Sequence, residues 1–475
     1  MKYLKMLFKW SLSIVLILLI LLASLLWIDA IQTSYLKRTN AVTDSSYLIK
    51  NVTIIPMTQD TLLRNRSVWI KGGLIENILE GEVSFDGPVI DGENGYLLPG
   101  LIDMHVHLWD RYELGLYLAN GVTAVRNLWG MPQHLRWKQA LEFNQLSGPI
   151  LYTSGPKLTG AEFIGDDNLN LYSPEQARDK VIEYQQRGYD FIKTYYGLEP
   201  EIFEAIRTQA MKSGMDLIAH PSQKVPFVDH LKEPIRSIEH VEEIVQQPLN
   251  FELDTLKLQK IIQQLTKETK KPYTPTLVVF ENINQMMQDD HYLDRQELQW
   301  INPLIRKVDS ENQFNRWHQA KINDPETPQR IGKQHRFHLE IVRKMHQAGI
   351  PIICGTDAGI GVTLPGFSIH QELAFYQEAG MTNFEVLKTA TINAAQTHQK
   401  MNHLGTVAIG KTANLILVRE NPLEQLRVLK KPEMVIVKGA VYKQQELQKF
   451  IERAKNRSNT IATFIRYVEN WIVEK

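Results

Sequence analysis

Six side chains able to bind divalent cations recur along this chain in the same local setting. They are His105, His107, Lys193, His220, His240 and Asp357, and each closes a short apolar run that reads as a β-strand. Residues i and i+2 of a strand point to one face, so His105 and His107 can reach a single ion. Lys193 follows Asp190-Phe191-Ile192. An inward ammonium in apolar surroundings is costly, and burial with nearby cations lowers its pKa and frees a nucleophilic amine. Such an amine adds to carbon dioxide, and the resulting carbamate has two oxygens that can bridge two cations. The plainer reading is a lysine that snorkels to solvent or pairs with a carboxylate.

His220 ends Leu217-Ile218-Ala219 and His240 ends Ser237-Ile238-Glu239. Each alone reads as a structural histidine; together, downstream of His105 and His107, they complete the shell of a second ion. Asp357 follows Gly355-Thr356, and Gly359 and Gly361 after it argue for a loop over a capped helix. A carboxylate there can bind an ion and hold a proton. Borderline divalent ions accept this nitrogen and oxygen donor set, zinc first among them, with manganese, cobalt and iron left open. Water held between two such ions ionises near neutral pH and attacks a polarised carbonyl.

The elements that must position these groups are read from periodicity. Strand candidates are Leu101–His105, Thr123–Leu128, Ile150–Ser154, Phe191–Tyr195, Asp216–His220, Ser237–His240, Thr274–Phe280 and Pro351–Thr356. They alternate with amphipathic stretches such as Glu175–Arg187 and Glu201–Lys212. That is the rhythm of a parallel sheet, and eight such units over 99–403 suggest an α/β fold of the closed (β/α)8 TIM-barrel type. Its active face lies at the strands' C-terminal ends, where the six residues fall. Short β-rich runs over 47–98 and 404–443, broken by Lys71-Gly72-Gly73 and Gly92-Glu93-Asn94-Gly95, suggest one small β-sandwich domain built from both ends of the catalytic region. Glu281 to Gln347 is long, charged and mostly helical. The tail over 444–475 is helical and is expected to pack on the body, with binding to the membrane surface or association as the alternatives.

At the N-terminus, Lys2, Lys5 and Lys9 precede an uncharged run from Trp10 to Ile28. As a helix it would span roughly 28 Å, close to a bilayer's hydrocarbon thickness. Residues 1–30 therefore read as a signal-anchor or transmembrane helix with 31–46 as a linker. The basic flank favours a cytoplasmic N-terminus and an extracytoplasmic catalytic part; a cleaved, secreted form is the alternative. Lys plus Arg equal Asp plus Glu at 53 each, so no global field favours nucleic acid. The only cysteine, Cys354, sits in an apolar run and reads as a buried thiol.

The motifs together resemble the amidohydrolase superfamily over roughly Tyr47 to Tyr442, and within it the imidazolonepropionase-like and prolidase-like branch. The likeness rests on Pro99-Gly100-Leu101-Ile102-Asp103-Met104-His105-Val106-His107, Ile238-Glu239-His240, Gly355-Thr356-Asp357-Ala358 and His370-Gln371-Glu372-Leu373. It extends to Ala390-Thr391-Ile392-Asn393-Ala394-Ala395 and Gly405-Thr406-Val407 with Gly410-Lys411-Thr412-Ala413-Asn414-Leu415. Asn414 departs from the family, which often has aspartate there. The resemblance implies that His105, His107 and Asp357 hold the more buried ion and His220 and His240 the more exposed one. Carboxylated Lys193 would bridge them, and Asp357 would pass a proton from the attacking water to the leaving nitrogen. Imidazolonepropionase is mononuclear, so Lys193 favours the peptidase-like side.

The expected reaction is hydrolysis of an amide-type C–N bond in a small molecule, such as a dipeptide or a cyclic amide. Lactone or phosphoester hydrolysis on the same site is the alternative. A ligand-binding protein on an inactive barrel would show ligand loss, and none is visible. Candidate substrate contacts are Arg126, which could meet a carboxylate or form a structural ion pair, and Tyr195 and Tyr196, which could donate to the carbonyl or wall the pocket. Homo-oligomerisation is left open.

Overall fold

The structure, a computed structural model, describes residues 2–38, 46–81, 83–162, 168–268 and 271–474. It is an α/β protein. Alternating runs at both ends of the catalytic region form one sheet of seven strands. The order is Ala440–Lys443, Met434–Val437, Leu415–Val418, Val89–Pro99, Ser46–Ile54, Leu63–Lys71 and Leu74–Glu80. The expected sandwich is thus a single continuous sheet by its hydrogen bonds. Its seam is the antiparallel pairing of Leu415 with Pro99 and Val418 with Tyr96. That pairing fastens the C-terminal strands to the segment leading directly into His105. Ile49, Ile54, Val68, Leu97, Leu415 and Ile436 fill one face.

From Leu101 the strands pair in parallel. Leu101–Val106, Val122–Asn127 and Ile150–Thr153 are neighbours. A bridge from Ser154 to Phe191 passes to Phe191–Thr194, Asp216–Ala219, Ile235–Glu239 and Tyr273–Thr274. Further bridges join Tyr273 to Ile352 and Ala358 back to Val106, so the parallel contacts return to the first strand. The first two of these strands are buried at every position, as expected where helices cover the outside of a parallel sheet. Helices Arg111–Ala119, Pro132–Glu142, Pro174–Arg187 and Pro200–Lys212 intervene. Their starts are written in the sequence: Ser173 caps the third with Pro174 in its first turn, and Gly188 ends it at φ 89°.

Several expected elements differ. The seventh strand stops at Thr274, because Pro275 offers no N–H and Thr276 turns to φ 53°. Leu277–Gln288 is a helix, its apolar residues falling at helical spacing. Pro351–Thr356 pairs only through isolated bridges. Leu404–Val407 is a turn around Gly405 at φ 79°, not a strand. Two short parallel strands, Lys157–Gly160 and Asn168–Leu171, were not expected. Glu281 to Gln347 is indeed helical, and its apolar side packs with Trp109 and Trp129.

The N-terminal helix runs from Lys2 to Gln32, past the expected boundary, and its apolar stretch Phe8–Gln32 is long enough to cross a membrane. The segment expected as a linker, 31–46, opens with the end of that helix, continues into a helical turn, Ser34–Leu36, that buries Leu36, and ends on the first residue of the strand Ser46–Ile54. Residues 39–45 of it lie outside the described residues. The tail is two helices, Gln444–Lys455 and Thr460–Glu474.

Ile416 is fully buried where the sheet meets the helices and strands around the site. Ile416→Ala should cost about 2–5 kcal/mol. Denaturant unfolding would reveal a lower midpoint, whereas an unchanged midpoint would contradict tight packing at the seam.

Candidate functional site

The residues that close the parallel strands converge. His105 lies within Leu101–Val106 and Lys193 within Phe191–Thr194. His220 and His240 follow Asp216–Ala219 and Ile235–Glu239 directly. Asp357 lies beside His105, its backbone N–H donating to the His105 carbonyl at 2.7 Å. All six side chains are buried.

Asp357 Oδ1 lies 2.7 Å from His107 Nε2 and 3.2 Å from His105 Nε2, while Oδ2 is 4.0 Å from His240 Nδ1. The ligand atoms of His105, His107 and Asp357 fit within 4.8 Å of one another, compact enough for one ion. The His240 ring is 4.8 Å from that of His105 and 4.6 Å from that of His220. The histidines therefore form a continuous row from the first group to the second.

Supporting residues choose which nitrogen each imidazole presents. His105 Nδ1 is 2.8 Å from Glu239 Oε2, which leaves Nε2 facing Asp357. His240 Nδ1 is 2.8 Å from Thr276 Oγ1. His220 Nε2 is 3.0 Å from Glu243 Oε1, a contact lacking hydrogen-bond alignment. Carboxylate or hydroxyl partners of this kind fix ring orientation and raise the basicity of the other nitrogen. His240, Thr276 and Asp357 hold φ of 68°, 53° and 58°. Left-handed backbone at three non-glycine residues around one site is strain that tertiary structure must hold in place.

The electrostatics suit cations. Burial drives His105 and His240 well below the usual imidazole range, and His220 below it too. Burial would raise Asp357, yet His105, His107 and His240 overcome it and hold the carboxyl well below its ordinary range. Burial lowers Lys193 to about 7 against the opposing pull of Glu239 and Asp357. Its Nζ finds no hydrogen-bond partner among the described residues, nor does His107 Nδ1. Buried polar atoms without partners are uncommon. An orphaned amine among imidazoles fits a carboxylated lysine beside divalent ions.

The proposed substrate contacts divide. Arg126 is fully buried, and its guanidinium is spent on the protein. It donates to Glu239 at 2.8 Å, Ser237 Oγ at 2.9 Å and the Met104 carbonyl at 2.6 Å. It is the structural ion pair, not a free cation at the mouth. Tyr195 and Tyr196 sit against His220 with ring centroids at 4.4 and 4.3 Å, and the Tyr196 hydroxyl donates to Glu243 at 2.9 Å. Glu239, Glu243 and Thr276 were not among the expected site residues. Glu239 and Glu243 flank His240 in sequence, which was the available signal; Thr276 carried none.

Arg126→Met should lower stability by about 3–5 kcal/mol, because Glu239 is left charged and unpaired. A thermal melt separates the alternatives: a substrate contact would instead raise KM while leaving the melting temperature unchanged.

Residues 192–441 match the model of the amidohydrolase family. Ochratoxinase of Aspergillus niger is 23% identical over 404 residues, covering 71% of this chain and 73% of the enzyme. Imidazolonepropionase of Alkaliphilus oremlandii is 24% identical over 425 residues, covering 80% and 92%. Among solved structures, a bottromycin amidohydrolase superposes with a TM-score of 0.74 at 23% identity, covering 90% of this chain and 94% of that one. A Xaa-Pro dipeptidase gives 0.65 at 20% identity, covering 84% and 100%.

Proposed function

Because the chain belongs to the amidohydrolase family, we propose that it is a metal-dependent hydrolase of an amide-type C–N bond, of the imidazolonepropionase- and prolidase-like branch. The observation that carries this is the gathering of six buried side chains able to bind metal from five segments at the ends of the parallel strands, with the Lys193 amine unpartnered. On this reading 99–403 is a (β/α)8 barrel, flanked by a β domain of 47–98 with 404–443 and followed by the helical tail 444–475. His105, His107 and Asp357 would hold one divalent ion, His220 and His240 a second, and carboxylated Lys193 would join them. Zinc suits the imidazole and carboxylate set. When bound, such ions acidify water and polarise a carbonyl.

The chain's own residues would do the rest. Asp357 is positioned by its backbone contact with His105 and is the natural proton carrier: it takes a proton at a carboxylate oxygen and returns it to the leaving nitrogen. Glu239 and Thr276 keep His105 and His240 in register. Tyr195 and Tyr196 wall the His220 side, where a substrate carbonyl can receive a hydrogen bond. A dipeptide or a cyclic amide is the substrate class proposed, which the names Xaa-Pro dipeptidase and imidazolonepropionase among the similar proteins support. The apolar N-terminal helix supports membrane anchoring, and the basic residues before it support an extracytoplasmic enzyme.

Two ions per chain should be found by elemental analysis, with turnover lost to a chelator and restored by metal. Asp357→Asn should lower kcat on a dipeptide and cyclic-amide panel by about 100-fold or more, the scale of a lost proton carrier. Turnover of lactones or phosphoesters alone would overturn the C–N assignment.

With the Lys193 amine at about 7, the neutral, reactive form predominates above that pH and the ammonium below it. Carbon-13 bicarbonate should give a carbamate NMR signal near pH 8 that fades toward pH 6. The signal should be absent in Lys193→Arg; its persistence there would rule out carboxylation at this residue.

A further inference from the structure

The last helix, Thr460–Glu474, has its polarity reversed. The side it turns to the protein is polar: Thr463, Arg466, Asn470 and Glu474 are all buried. Three of those groups, Thr463, Arg466 and Glu474, are engaged. Arg466 forms an ion pair with Asp29. Thr463 Oγ1 accepts from Asn302 at 2.9 Å. Glu474 accepts from Tyr189 and Arg187, each at 2.6 Å. The opposite side is apolar. Ile461, Phe464, Trp471 and Ile472 are 52%, 54%, 59% and 68% exposed, and Val468 lies between them on the same stripe. A surface helix normally turns its apolar side inward. Here the inward side holds the ion pair of Arg466 and the hydrogen bonds of Thr463 and Glu474, and rotating the helix to bury the stripe would break them.

What covers the stripe is indicated by its neighbour. Asp29, the partner of Arg466, belongs to the last turns of the N-terminal apolar helix, and Trp27, Ile28 and Ile31 around it are exposed. The two exposed apolar surfaces are therefore joined through one buried ion pair. Aromatic residues at such a junction, Trp27 and Trp471, suit the lipid–water interface.

We propose that the apolar stripe of Thr460–Glu474 rests in the outer face of the bilayer crossed by the N-terminal helix, as a second, interfacial contact. This rests on the anchoring read from Phe8–Gln32 and goes beyond it. A single spanning helix fixes attachment but leaves the body free to tilt; a second contact sets its orientation. The same helix reaches the site wall. Its Tyr467 ring is 6.5 Å from Trp129, and Trp129 is 6.3 Å from the His107 ring. The catalytic body would thus be held close to the membrane plane, with its site wall two aromatic rings from the lipid contact.

The test uses the full chain in vesicles of phosphatidylethanolamine and phosphatidylglycerol, spin-labelled at Phe464→Cys, at Ile472→Cys or, as control, at the exposed Leu256→Cys. The native Cys354 is buried and stays unlabelled. Oxygen should reach the labels at 464 and 472 several-fold better, relative to a water-soluble nickel chelate, than it reaches the label at 256. Equal ratios at all three positions, in protein that resists carbonate extraction, would overturn the interfacial contact and leave the anchor standing. Broadened, immobile labels shielded from both reagents would instead mean a second protein copy on the stripe, and would overturn it too. Extraction by carbonate would count against the anchor itself.

Discussion

The site depends on confining four imidazoles, an amine and a carboxylate to one dry place. Each pays desolvation on entering, and Asp357 can stay ionised there only because His105, His107 and His240 surround it. A second buried charge balance lies just behind. Glu239 would be too costly alone, and Arg126 compensates it while Glu239 in turn orients His105. Packing, charge and ligand geometry at this end of the molecule are therefore one constraint. The strain at His240, Thr276 and Asp357 is tolerated because neighbouring strands and the hydrogen bonds of these residues fix them.

Much of this could be read from the chain. The i, i+2 spacing on a strand puts His105 and His107 on one face, and the apolar runs before His220 and His240 mark strand ends, although each histidine alone reads as structural. Arg126 could not be assigned in the same way. Whether an arginine at a strand end meets solvent, substrate or a buried carboxylate depends on which residue sits opposite, and Ser237 and Glu239 lie more than a hundred positions away. The misread seventh strand has a local cause. Thr274 to Phe280 is apolar enough for either a strand or a helix, and only the break at Pro275 and Thr276 decides between them. Thr276 then gains a role at His240 that no spacing rule reveals.

The periphery follows the same logic from the outside. Near-helical spacing in the tail made a helix legible but not its rotation. Packing of an apolar stripe on the body was the ordinary expectation, and the structure turns that stripe outward because Asp29, Asn302, Arg187 and Tyr189 claim the polar side. Polar contacts at the surface thus couple the ends of the chain to the body, as the sheet seam at Leu415 and Pro99 does further in.

The most direct measurement is anomalous diffraction at the metal edge from crystals of protein purified with added zinc. Two adjacent peaks should appear, one bounded by His105, His107 and Asp357 and one by His220 and His240, with extra density on Lys193 Nζ reaching both. No anomalous signal at that end of the parallel strands, or ions bound only elsewhere, would contradict the reading of these six residues as one metal centre.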